Sequence, residues 1–263
     1  MSEHIIYKLG PFEIPGIEGE RYVRVYPPTE KPGPSPAPVL YMFDGQNIFH
    51  DDPSHAGGWY LHHAVKELAR RGESAPVIVG IDHGGATRCD ELSPFPTRDS
   101  RGDADYLLTW LTEELCPRIL KEFGVRSDAA GAAVGGSSLG GLAALYAHFR
   151  YPEVFGAALC MSPALCFAGG RLFDYIASRP VPWTSRLYID AGAREDNGAV
   201  LADADRLVKS MRARGYNDET LCFCSDRDGS HGERDWRKRA PRALSFLFSG
   251  GAGRKLVELE RAA

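Results

Sequence analysis

The stretch Ala132–Tyr151, AAVGGSSLGGLAALYAHFRY, decides how the rest of the chain is read. It opens on small and apolar residues, passes through Gly135-Gly136-Ser137-Ser138-Leu139-Gly140-Gly141, and turns helical. Leu142, Leu145, Tyr146 and Phe149 recur at the three-and-four spacing of one helix face. Gly136-Ser137-Ser138-Leu139-Gly140 matches G-x-S-x-G, in which a serine sits on a sharp strand-to-helix turn with its hydroxyl exposed above a sheet. Glycines suit such a turn because a side chain beside it collides with the strand or helix. A serine at a helix N-terminus also faces free N–H groups and the positive end of the helix dipole. A turn of this kind can equally cap a helix or bind an anion. The order of acid and histidine downstream separates these readings. No G-x-x-x-x-G-K-[ST] occurs in the chain, and no G-x-G-x-x-G occurs here.

The 263 residues, 43% of them hydrophobic, suffice for one large core. A net charge of −4 without a long basic run argues against nucleic acid as a partner. The N-terminus lacks the basic start and apolar run of a signal peptide, and no apolar stretch approaches the ~20 residues of a membrane helix. Six cysteines with no C-x-x-C point to buried thiols in a reducing, cytoplasmic compartment. Cys222 and Cys224 share one face of a strand. His50, His55, His62 and His63 match no metal-ligand spacing, and Leu61, Ala64, Val65 and Leu68 put His62 and His63 on the flank of a helix. The expectation is a protein without metal or cofactor.

Residues 1–36 read as an N-terminal arm that includes a strand at Arg21–Tyr26, with a proline-rich surface connection over 27–38. Residues 37–250 read as the core of a single domain and 251–263 as a tail. The apolar runs Val39–Phe43 and Pro76–Asp82 read as strands buried on both faces. A long loop, 83–103, precedes a helix over 104–123 that Pro117 should kink. Further strands fall at Phe155–Met161, Arg186–Asp190 and Leu221–Cys224. An amphipathic helix ends at Gly215, and a closing helix is expected to break near Pro241. Strands alternating with helices imply a mostly parallel sheet covered on both faces.

The downstream order is now visible. Ser138 is followed by an acidic loop after a strand, and then by His231 in a loop after the last strand. Serine–acid–histidine is the order of the α/β-hydrolase fold. Each element stands at the carboxyl end of a strand, where open α/β sheets bind ligands. Serine needs a base to take its proton, and His231 is the only histidine after His148. A carboxylate must orient that base. Asp190, Glu195 and Asp196 compete; Asp190 reads as part of the strand, and Glu195 is preferred over Asp196. The backbone N–H groups of Leu139 and of Gln46, in the Asp44–Phe49 loop after a core strand, are the candidate oxyanion donors.

Several motifs, taken jointly, resemble the enterochelin esterase-like or esterase D-like branch of α/β hydrolases. They are DGQNIF (44–49), Glu91-Leu92-Ser93-Pro94, GGSSLGGLAALY (135–146), Ser162-Pro163, DAGAREDN (190–197) and HGERDWRKRAPRALSFL (231–247). The resemblance implies an acid three residues after Gly192, which is Glu195, and a lightly covered cleft. It implies hydrolysis of a small-molecule carboxylic ester through an acyl-enzyme. Acyl transfer or thioester hydrolysis would use the same intermediate, and a non-catalytic binding module would need a broken triad. The chain lacks the extra N-terminal domain of the larger siderophore esterases, which counts against a siderophore substrate. A homo-oligomer is compatible with the sequence.

Overall fold

The continuous apolar runs do become the centre of a sheet. In the computed structural model, which describes residues 5–28, 35–54, 56–182 and 185–248, the strands are β1 (Tyr7–Glu13), β2 (Glu20–Tyr26), β3 (Val39–Phe43), β4 (Val77–Ile81), β5 (Ala132–Ser137), β6 (Ala157–Met161), β7 (Arg186–Gly192) and β8 (Leu221–Asp226). They lie in the order β1-β2-β4-β3-β5-β6-β7-β8. β2 is antiparallel to β1 and β4, and every other pairing is parallel. The helices are α1 (Leu61–Arg70), α2 (Arg88–Glu91), α3 (Ala104–Trp110), α4 (Cys116–Phe123), α5 (Leu139–Arg150), α6 (Arg171–Ala177), α7 (Ala199–Ala213) and α8 (Glu233–Phe248).

Period-two alternation divides the core into two layers. Val39, Tyr41 and Phe43 of β3 join Val77 and Val79 under α3 to α7. Leu40, Met42 and Ile78 point the other way, into a second layer closed by Leu61, Val65 and Leu68 of α1 and by Trp236, Leu244 and Phe246 of α8. This is one α/β-hydrolase domain. β3 is followed by β4 on one side in the sheet and flanked by β5 on the other, so winding reverses there. Ligand crevices form outside the carboxyl ends of strands at such a reversal.

Three elements depart from the sequence reading. The arm contains β1, which pairs with β2 through an irregularity between Leu9 and Phe12. Its residues are exposed or only half-buried, so no apolar pattern marked it. The helix over 104–123 is interrupted before Pro117 and not at it: Leu111–Leu115 forms a π turn, and the Cys116 N–H donates to the Leu111 carbonyl. Pro117 has no N–H for the carbonyl four residues back, and the wider turn accommodates its ring. α8 does not break at Pro241. Pro241 is exposed, so the carbonyl it leaves unpaired faces water. Part of the proline-rich connection, 29–34, and the tail, 251–263, lie outside the described residues.

Candidate active site

β5 hands directly to α5 at Ser138, whose backbone has φ 55° and ψ −122°. This is a strained conformation for a residue with a side chain. The surrounding backbone holds it. The Ser138 N–H donates to the Met161 carbonyl at 3.0 Å, and the Ser138 carbonyl accepts from Leu142 at 3.1 Å and Ala164 at 3.0 Å. The flanking glycines are required by space. A Cβ on Gly136 would stand 2.6 Å from the Gly140 carbonyl carbon, and one on Gly140 would stand 3.0 Å from an Asp44 carboxylate oxygen. Strand and helix therefore approach within backbone contact. The Ser138 side chain is half-buried at the carboxyl end of the sheet.

Leu139 is the first residue of α5, where an N–H has no intrahelical acceptor. Gln46 lies in the single turn Gly45–Asn47 that follows β3. Among the described residues the backbone N–H groups of Gln46 and Leu139 bond to no backbone carbonyl outside their own helical turns. The Gln46 turn is braced from two sides. Asp44, in the left-handed region at φ 59°, accepts from Arg88 Nε and Nη2 at 2.6 and 2.8 Å. The Gln46 side-chain oxygen accepts from the His83 N–H at 3.1 Å. Burial pushes the His83 imidazole below its ordinary pKa, which keeps it neutral beside this loop.

Of the three competing carboxylates, Glu195 is the one that meets His231. Its Oε2 lies 2.9 Å from His231 Nδ1. Its Oε1 accepts from the Gly192 N–H at 2.7 Å, the Ser162 hydroxyl at 2.7 Å and Arg239 Nη2 at 3.4 Å. Glu195 is 1% exposed. Burial works to raise its pKa, but the hydrogen bonds from His231, Ser162 and Gly192 outweigh burial and hold the carboxyl below its ordinary value. Asp196 is exposed, in a left-handed conformation at φ 43°. Asp190 is fully buried in β7, as its place in the strand predicts, and accepts from Arg239 Nε at 3.1 Å. Burial raises its pKa to about 7 against the pull of Arg239. Ser138 and His231 stand at the same end of the sheet, but no hydrogen bond joins them among the described residues. Such contacts often tighten only when substrate binds.

Sequence reasoning left three residues of this cluster without a role. The Ser162 hydroxyl accepts from Trp236 Nε1 and Arg239 Nη2, both at 2.9 Å, while donating to Glu195. Trp236 also meets the His231 ring edge-on, with centroids 4.9 Å apart. The available signal was a tryptophan and an arginine one turn apart inside an otherwise charged helix, after His231. The upstream histidines sit elsewhere. His62 is 1% exposed and not on a solvated flank; its ring centroid lies 5.0 Å from that of His50 and 4.3 Å from that of His63, with Tyr26, Phe49 and Tyr60 around it. The face of α1 that carries Leu61, Val65 and Leu68 into the second core layer is wide enough to bury His62 as well, while His63 is exposed. His55 lies outside the described residues. Among the described residues no group of three or more His, Cys, Asp or Glu side chains could hold a metal ion.

A serine elbow at the topological reversal, with a carboxylate–histidine pair at the same sheet end, is the arrangement of an α/β-hydrolase. A family model described as "Putative esterase" matches residues 14–247, and the chain belongs to that esterase family. The iron(III) enterobactin esterase of Dickeya dadantii is 29% identical over 254 residues, which cover 89% of this chain and 53% of that protein. The chain thus spans about half the length of that relative. The uncharacterized protein YbbA of Bacillus subtilis is 22% identical over 241 residues, covering 87% of this chain and 92% of its own. Among solved structures, the siderophore hydrolase EstA from Aspergillus nidulans superimposes with a TM-score of 0.73 at 19% identity, covering 96% and 95% of the two chains. At that identity the likeness speaks for the fold. No helix among the described residues is long and apolar enough to cross a membrane.

Proposed function

We propose that Ser138, His231 and Glu195 act as nucleophile, base and orienting acid in hydrolysing a small-molecule carboxylic ester. The observation that carries this reading is the Glu195–His231 bond at 2.9 Å, made by a carboxylate whose other oxygen already has three donors. A buried carboxylate held in this way stays ionised, fixes the imidazole with its proton on Nδ1, and leaves Nε2 free to accept. His231 Nε2 takes the Ser138 proton as Oγ attacks the ester carbonyl. The oxyanion that forms is held by the N–H groups of Gln46 and Leu139. Collapse breaks the acyl–oxygen bond, and the departing alcohol takes the proton from His231. Water, deprotonated by His231, then attacks the acyl-enzyme and releases the carboxylic acid and free Ser138. No metal or cofactor takes part in these steps. None of the six cysteines forms a disulfide, which supports a reducing, cytoplasmic setting. Only Cys160, Cys222 and Cys224 are buried as the sequence predicts, while Cys116 is half-buried and Cys89 and Cys166 are exposed.

The test is turnover of p-nitrophenyl acetate with labelling by a fluorophosphonate. The expected result is labelling of the intact protein at Ser138, with both labelling and turnover lost in Ser138→Ala; loss of the nucleophile should cost several orders of magnitude in kcat, on the order of 10⁶. An alanine variant that turns the ester over at near wild-type rate overturns the proposal.

A further inference from the structure

A cleft of about 920 Å³ lies between the loop Asp51–Gly58 and the first turns of α8. Both walls continue from the candidate site. Asp51 follows the Gln46 turn along the chain from β3, and Arg234 follows His231 by three residues. A bond from the Asn47 side chain to Glu233, at 3.3 Å, ties the two walls together at that end. The cleft is thus built from the chain segments that directly follow the Gln46 turn and His231, although none of Ser138, Gln46 and His231 lines it.

Its charge is unbalanced. Arg234, Arg237 and Lys238 line it on α8, while Asp51 is the one carboxylate in its lining. Lys238 is matched by Asp235 at 2.6 Å. The Asp51 carboxylate accepts the Gly58 N–H at 2.8 Å and the Tyr60 hydroxyl, and these bonds, with a weaker pull from Arg237 and Arg234, hold its pKa below the ordinary value. Arg237 lies over the Tyr60 ring, 4.1 Å from its centroid, which orients the guanidinium without neutralising it. Among the described residues neither Arg234 nor Arg237 stands within 4 Å of a carboxylate, and the single charge of Asp51, which both attract at longer range, leaves the pair with a net positive charge. Guanidinium groups present paired N–H donors that match a carboxylate in geometry as well as charge.

We propose that this cleft binds a carboxylate carried by the ester substrate, so that the enzyme favours acidic esters over neutral ones of the same size. That the ligand is an ester rests on the hydrolase reading above; that it is acidic rests on the cleft. Trp236 and Arg239 face inward from the same helix to hold the Glu195 cluster, so α8 would present the base's supports on one side and the substrate's counter-charge on the other.

Binding can be measured apart from turnover. Ser138→Ala protein is titrated calorimetrically with monoethyl glutarate and with diethyl glutarate, and the titrations are repeated in Ser138→Ala carrying Arg234→Gln and Arg237→Gln. The charged half-ester is expected to bind about five- to tenfold more tightly than the diester, as partly exposed charge pairs allow. That preference should shrink as salt is raised and fall to about one in the triple variant. Circular dichroism checks that the triple variant is folded, and the single Arg237→Gln change, expected to remove part of the preference, serves if it is not. Equal binding of the two esters, or a preference that survives both arginine changes, overturns the proposal. Failure of p-nitrophenyl acetate turnover in the wild-type protein would instead overturn the hydrolase reading, and leaves the titration result to decide this one.

Discussion

At the level of single residues, the site turns on how β7 and the loop after it distribute three carboxylates. Glu195 and Asp196 are adjacent in sequence and opposite in environment: one has four hydrogen-bond donors and no exposure to speak of, the other is exposed. Glu195→Gln keeps the shape but replaces an acceptor by an amide, which favours the wrong tautomer of His231. It should lower kcat by up to ~10⁴. Asp196→Asn should change kcat by less than about threefold, since a solvated neighbour does not orient the base. Comparable losses in both variants would move the acid elsewhere. Asp190 makes a different prediction. Its folded pKa is raised to about 7, above the ordinary carboxylate value, chiefly by burial. A group raised in this way contributes stability that is fully present at low pH and is lost as pH rises through the window from about 4 to about 7. Asn at this position mimics the protonated form and has no such dependence. Asp190→Asn should therefore gain on the wild type by on the order of 2–4 kcal/mol between pH 5 and pH 8 in urea unfolding, whatever its offset at pH 5. A difference that stays constant with pH would show that Arg239 keeps Asp190 ionised throughout. Sequence reading reached Glu195 and Asp190 because position along a strand and loop is local information. It could not reach Ser162 or Arg239, which bond to Glu195 across 33 and 44 residues and only through the packing of α8 on β6 and β7.

At the level of elements, what was legible tracks burial. β3, β4 and β6 are buried at every position and showed as unbroken apolar runs. β1 is exposed or half-buried throughout and showed no pattern. Proline breaks helices here less than its position in the sequence implies. Pro241 sits on the outer face of α8, where a lost hydrogen bond is made good by water, and Pro117 acts through a widened turn upstream of it. The β5–α5 elbow carries the sharpest consequence. Gly136→Ala would place a methyl group 2.6 Å from the Gly140 carbonyl carbon, a collision between backbone and side chain that no rotamer relieves. The variant should lose more than about 3 kcal/mol, or fail to accumulate as folded protein, with labelling at Ser138 lost in step. Gly124→Ala is the control. It has positive φ, at 61°, which Gly136 does not, but an added Cβ meets nothing within 4 Å, so the cost should be only the backbone strain of about 1 kcal/mol, with turnover kept. If both variants melt alike, the close approach of strand and helix is not what the glycine serves.

For the molecule as a whole, the family match begins at residue 14, one residue after β1 ends. The parallel part of the sheet, both core layers and all the candidate site residues lie inside the match. β1 lies outside it, at the edge, and covers β2. Its contribution is packing: Phe12 meets Trp110 of α3 edge-on with centroids 5.4 Å apart, and Tyr7 meets Phe123 of α4 at 5.6 Å. Removing residues 1–13 should thus leave the site able to assemble while stripping two partly buried aromatic contacts and one strand's hydrogen bonds. Aromatic pairs of this kind add about 0.5–1.5 kcal/mol each beyond the area they bury. A loss of roughly 2–3 kcal/mol follows, which for a domain of this size lowers Tm by about 5–10 °C. A second effect should accompany it. β2 would become the edge strand, with unpaired N–H and C=O groups along a segment whose Val23, Val25 and Tyr26 are buried, so the truncated protein should self-associate as its concentration rises. The measurements are Tm by calorimetry, ester turnover per folded molecule, and light scattering against concentration. Turnover per folded molecule should stay within about twofold of the full chain. A truncated protein that folds normally but has lost turnover would mean that β1 reaches the site, and that the carboxyl ends of β3, β5, β7 and β8 do not by themselves make up the catalytic surface.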